Sequence, residues 1–230
     1  MDLSNINWGL IAIQFVALLF SLSVHEAAHA WMADRCGDYT ARYLGRVTLN
    51  PMAHIDPIGT IVFPLLQLVT HIPLIGWAKP VPVNPMRMKN PTRDQMYVSV
   101  AGPVSNLLVG TCAFILLLVL KHVLPKATIC INHMVDKMNL PADQSLIVPI
   151  LGLLFFLMVI NFMLAVFNLI PVPPLDGHWI VAGLLPPSAA ESFRRIGSYG
   201  IFVLWGLMIM GAFQFIMIPI YVILAILKVC

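Results

Sequence analysis

Two imidazoles and a carboxylate stand together in His25-Glu26-Ala27-Ala28-His29, inside a stretch that otherwise reads as membrane. On a helix, residues four apart share a face. His25 and His29 therefore have the spacing that two ligands of one zinc ion require, with Glu26 beside the metal as a potential base. With seven His and two Glu in the chain, such a motif arises by chance in roughly one sequence of this kind in 500. From Asn7 to Ala33 these three are the only ionisable side chains, and ionisable groups inside a bilayer are too costly to keep without a role.

A hydrolytic zinc site usually has three protein ligands plus water, so a third must come from elsewhere. Among the eight Asp, Asp176 stands out in Asn168-Leu169-Ile170-Pro171-Val172-Pro173-Pro174-Leu175-Asp176-Gly177. The three prolines remove amide donors and stop a helix at about membrane depth, which is tolerated only where the backbone faces protein or water.

The elements that must position these residues follow from composition. The chain is 60% hydrophobic and 10% charged, with a mean hydropathy of +0.90, against about 25% charged for soluble domains. This predicts an all-α polytopic membrane protein, read as a single domain over 1–230. Four stretches are long and apolar enough to span: 7–33, 96–120, 145–170 and 197–227, the last a long helix kinked or broken near Pro219. Residues 58–77 form a weaker fifth candidate, interrupted by Gly59, Pro64, His71, Pro73 and Gly76. Arg35, Arg42 and Arg46 precede this segment and Lys79, Arg87, Lys89 and Arg93 follow it. The positive-inside rule wants both groups in the cytoplasm, so 58–77 is expected to dip in and return. The first and third spans then end at the inner face, and Asp176 comes to the level of His25 and His29. Basic residues lie in short clusters between spans, which gives no indication of a nucleic-acid partner. The four scattered cysteines suggest free thiols.

The pattern His25-Glu26-x-x-His29-x-x-x-Ala33, then Gly102-Pro103-x-x-Asn106, then Asn168-x-x-Pro171-x-Pro173-x-Leu175-Asp176-Gly177 resembles the site-2 protease family of intramembrane zinc metalloproteases. Leu49-Asn50-Pro51 and Asp56-Pro57-Ile58-Gly59-Thr60 resemble its short prokaryotic branch, without a PDZ or CBS domain. The resemblance implies one Zn2+ per chain on His25, His29 and Asp176, with Glu26 as the catalytic acid/base. It also implies substrates that are membrane proteins with a transmembrane segment, cut within the lipid bilayer of a prokaryotic plasma membrane. The active site would face the cytoplasm.

Asn106 is read either as a contact to the substrate carbonyl or oxyanion or as a tie between helices. Asn168 is read as orienting the Asp176 loop, with a substrate contact as the alternative, and His54 and His178 as candidate outer partners of the site. Gly102 is read as a close-packing surface. Two other functions fit an intramembrane His/Glu/Asp group: a metal or proton transporter, and a catalytically silent zinc-binding scaffold. Neither has a motif of its own here, since no broken-helix repeat matches the Pro-rich stretch after Asn168 and a scaffold has no use for Glu26. Oligomeric state has no signature in the sequence.

Overall fold

The structure, a computed structural model, describes residues 7–70, 76–143, 145–211 and 213–230. Among them every regular element is helical. Three helices are long and apolar enough to cross a membrane: α1 (Trp8–Arg35), α4 (Pro91–Val123) and α6 (Ile147–Asn168). At 1.5 Å per residue they run about 42, 50 and 33 Å, against a hydrocarbon core of about 30 Å. Asn7 caps α1 by accepting from Leu10 N at 3.0 Å, and Pro91 opens α4, where its missing N–H costs nothing. Shorter helices fill the connections: α2 (Thr40–Tyr43) and α3 (Phe63–Thr70) between the first two long helices, and α5 (Pro125–Lys137) before the third. After it come α7 (Asp176–Leu184), α8 (Pro187–Arg195), α9 (Gly200–Ile209) and α10 (Phe213–Val229).

Contacts fix the relative directions. His29 meets Val98, His25 meets Asn106, and Asn106 also meets Ser21, so α4 runs antiparallel to α1. A Cβ on Gly152 would lie 3.6 Å from Ile13, while Asn161 bonds Ser21, so α6 runs parallel to α1. The bundle is graded along its length. One end holds an apolar core including Leu117, Met134, Phe155 and Ile220, the middle a buried polar chain, and the other end the His-Glu-His motif.

The expected spans at 7–33, 96–120 and 145–170 correspond to α1, α4 and α6. The expected helix over 197–227 does not run unbroken. It is divided into α9 and α10 at Met210 and Gly211 rather than near Pro219, which lies inside α10. Gly211 has φ of +79°, a conformation that suits glycine and ends α9. Neither piece reaches membrane length alone. The pair nonetheless connects the site end, where Leu204 and Trp205 line a cavity, to the far end, where buried Lys121 donates to Leu227 O and Lys228 O, both at 2.7 Å. Between α4 and α6, where the sequence suggests no span, α5 packs Ile131 and Met134 into the core.

Of the expected 58–77 segment, 71–75 lie outside the described residues. On either side, Lys79 N donates to His54 O at 2.9 Å and Thr60 Oγ1 to Trp77 O at 2.8 Å, so the two arms lie together. Cys36 and Met88, at opposite ends of the whole connection, share one small core with Val98. The chain leaves α1 and re-enters α4 at the same end of the bundle.

Candidate metal centre

His25 and His29, one turn apart on α1, are 6% and 8% exposed and turn their Nε2 atoms toward each other at 3.0 Å. Asp176 enters from the first residue of α7. Its Oδ2 lies 3.3 Å from His25 Nε2 and 3.4 Å from His29 Nε2. Among the described residues these three alone form a group of metal-ligating type. Each Nδ1 lies beside an oxygen that can only accept: His25 Nδ1–H donates to Asn106 Oδ1 at 2.6 Å and His29 Nδ1–H to Val98 O at 2.7 Å. With the protons on Nδ1, both Nε2 atoms present lone pairs, as metal-bound histidines do. Two such lone pairs then face a carboxylate oxygen that is buried and has no hydrogen-bond partner. Three acceptors with no proton between them call for a cation. A tetrahedral zinc with bonds of about 2.0–2.1 Å holds its ligand atoms about 3.3 Å apart, so the donor set and spacing fit zinc.

Backbone packing makes this approach possible. A Cβ on Gly102 would come within 2.5 Å of His29 Nε2 and 2.6 Å of His25 Cε1, so only glycine lets α4 pass under both rings. Pro103 follows, and its missing N–H opens the helix ladder next to the Val98 carbonyl that receives His29. On the other side, a Cβ on Gly177 would strike the carbonyl oxygens of Leu169 and Ile170. The glycine after Asp176 thus lets α7 start directly against the end of α6. The Pro-rich stretch turns through Val172 N to Ile170 O at 2.8 Å and Leu175 N to Val172 O at 3.0 Å. The trio opens into a cavity of about 640 Å³ that Glu26, Asn168, Trp77 and Val81 also line.

Comparison with known proteins decides what this centre belongs to. The model of peptidase family M50 matches residues 13–210. The chain belongs to peptidase family M50. Three similar relatives are each named as a putative zinc metalloprotease. YwhC of Bacillus subtilis is 39% identical over 188 residues, covering 82% of this chain and 76% of its own. Rip2 of Mycolicibacterium smegmatis is 28% identical over 207 residues, 89% of this chain and 69% of its own. Rip2 of Mycobacterium tuberculosis is 30% identical over 193 residues, 82% and 62%. No solved structure matches. As an M50 member the protein is a zinc metallopeptidase with Zn2+ as its cofactor, and three apolar helices make it a multi-pass membrane protein.

The remaining residues singled out in this M50 chain fall into two sets. Asn168 lines the cavity, with Nδ2 donating to Leu164 O at 2.9 Å. Asn106 does not line it. It is fully buried, its Oδ1 receives His25, and its Nδ2 donates to Ser21 O at 3.3 Å and Asn161 Oδ1 at 2.7 Å. With both amide hydrogens and the oxygen engaged, Asn106 ties α4 to α1 and α6 and holds His25. His54 is buried in the 50–56 turn with Nε2 donating to Thr48 O at 2.8 Å, and His178 stacks on Phe193 at 4.8 Å. Neither belongs to the ligand trio or the cavity wall. Burial, together with the charge of Arg194, pushes the His178 imidazole below its usual pKa. Sequence reasoning missed Asn161, whose Nδ2 donates to Ser21 Oγ at 2.7 Å and whose Oδ1 fixes the Asn106 amide. An amide in the middle of an apolar span was the available signal.

Proposed function

We propose that the protein is an intramembrane zinc endopeptidase, a single catalytic domain that hydrolyses peptide bonds in or near transmembrane segments of membrane proteins. One observation carries this reading: the two Nε2 atoms and Asp176 Oδ2 converge at 3.0–3.4 Å beside Glu26, in a cavity within an apolar bundle. His25, His29 and Asp176 hold one zinc. Zinc, when bound, supplies Lewis acidity that makes water nucleophilic at neutral pH and polarises the scissile carbonyl. Glu26 takes the proton of the attacking water and passes it to the leaving amide nitrogen. Asn168, which spends one N–H on Leu164, keeps Oδ1 and a second N–H for the backbone of an unwound substrate.

Arg42, Arg46, Arg87, Lys89 and Arg93 all belong to the connection at the site end of the bundle or its junction with α4. The positive-inside rule puts that end in the cytoplasm, where water reaches the zinc, and makes 58–77 a re-entrant piece. α9 and α10 together form the fourth span. Bacterial relatives support a plasma-membrane location. The test is cleavage of a transmembrane-helix substrate by the purified protein and its Glu26→Gln form. The parent is expected to cut and the variant to lose the activity; equal cleavage by both refutes the role of Glu26.

A further inference from the structure

The segment Lys79-Pro80-Val81-Pro82-Val83-Asn84 runs past Glu26, and its prolines limit what its backbone can offer. Pro80 and Pro82 have no N–H, so Val81 carries the one amide hydrogen between Lys79 and Val83. That hydrogen goes to Glu26, with Val81 N donating to Oε2 at 3.1 Å. The other face of the same peptide group is held by Arg46. Its Nη1 donates to Pro80 O at 3.2 Å and its Nη2 to Lys79 O at 2.5 Å. Arg46 is 7% exposed, and among the described residues no carboxylate pairs with it. A buried guanidinium without a counter-ion is expensive, yet its hydrogen bonds go to two carbonyls next to the catalytic cleft. Lys79 N to His54 O at 2.9 Å and Asn84 N to Asp38 Oδ2 at 2.6 Å pin the segment at either end.

The connectivity is a relay: Arg46 N–H to the Pro80 carbonyl, through the 80–81 peptide, and from Val81 N–H to Glu26. Hydrogen bonds in series polarise one another, so a cation on the carbonyl strengthens the amide as a donor. We propose that Arg46 is a positioning residue for Glu26, acting through the 80–81 peptide. The relay ties Oε2 and leaves Oε1 for the proton of the attacking water. The inference rests on the reading of Glu26 as the base. It also assigns a role to an arginine that charge counting treats only as a topology signal.

The test uses the full chain in detergent, with kcat, KM and zinc per chain measured separately for Val81→Pro, Val81→Ala, Arg46→Gln and Arg46→Lys, beside Glu26→Gln. Val81→Pro removes the donor from a stretch its neighbours already hold extended, while Val81→Ala trims the side chain and keeps the donor. Val81→Pro and Arg46→Gln are expected to lower kcat about 10- to 100-fold, with KM within about 2-fold and zinc retained. Val81→Ala, which keeps the donor, should lose far less kcat than Val81→Pro, and Arg46→Lys, which keeps a charged donor, should recover part of the loss caused by Arg46→Gln. A Val81→Pro form with parental kcat overturns the proposal, as does a loss in which KM rises and zinc falls in step with kcat. If Arg46→Gln does not fold, the two Val81 forms decide alone. Parental cleavage by Glu26→Gln refutes the base itself, and is thereby distinguished from failure of the relay.

Discussion

At the scale of residues, the group of His25, His29 and Asp176 is held in place by side chains outside it. Ser21, Asn161, Asn106 and His25 form one chain of hydrogen bonds across α1, α4 and α6, with contacts of 2.6–2.7 Å between successive side chains. Asn161 sets which way the Asn106 amide faces, and Asn106 sets which nitrogen of His25 is protonated. Outer partners of metal-bound histidines typically contribute 10- to 100-fold in metal affinity. Asn106→Ala and Asn161→Ala should therefore each weaken zinc binding by about that range in a chelator competition, while an exposed control such as Leu108→Ala should not. Gly102→Ala places a methyl against both imidazoles and should abolish zinc binding in a protein that still inserts; unchanged zinc content would mean that α4 can move aside at little cost. The meeting of His25, His29 and Asp176, with Glu26 on the same cavity, was legible in the sequence from residue types and spacing. Asn161 and Arg46 were not, because their partners lie 55 and 33 or more positions away and a polar residue says nothing of where its bonds go.

At the scale of elements, local rules placed the long apolar helices and failed where a break depends on one backbone conformation. Pro219 looked like the interruption of the last span, yet the chain breaks at Gly211. A proline in an apolar helix gives up one hydrogen bond and is tolerated in membranes, whereas a left-handed residue ends the helix outright. Gly211→Ala should strain that turn and destabilise the protein by about 1 kcal/mol, read as a lowered melting temperature. α5 was missed because a short amphipathic helix between two strong spans resembles a loop when charges alone are weighed. The segment over Glu26 has its own pH dependence. Burial alone would raise the Asp38 carboxyl, but hydrogen bonds from Asn84 N and from Thr40, with Arg87 nearby, outweigh it and hold the pKa below the ordinary value. A depressed pKa contributes stability above the unfolded value of about 3.9 that is lost as pH falls through the folded one. Amide exchange at Asn84 should therefore accelerate in acid below about pH 4, and in Asp38→Asn this acid-dependent step should be absent.

At the scale of the whole molecule, the directions of α1, α4 and α6 bring residues about 150 positions apart to one end of the bundle, the end that also holds the basic residues of the connection between α1 and α4. Accessibility should divide accordingly. Cysteines placed at exposed Tyr43 and Met86 should be labelled from one side of the membrane, and cysteines at exposed Ile129 and Leu146 from the other. Labelling of 43 and 86 from opposite sides would make 58–77 a full crossing and separate Asp176 from the histidines. That α1 ends and α4 begins at one end of the bundle was legible from charge, because basic residues flank both junctions. How the arms of 58–77 meet was not, because it rests on backbone pairings such as Lys79 with His54. On the proposed reading, His25, His29 and Asp176 together hold one zinc that Glu26 serves without binding. Metal analysis of the purified parent, Glu26→Gln and Asp176→Ala tests it most directly. About one zinc per chain is expected in the parent and in Glu26→Gln, with a large loss in Asp176→Ala; full zinc in Asp176→Ala, or its loss in Glu26→Gln alone, would overturn the assignment.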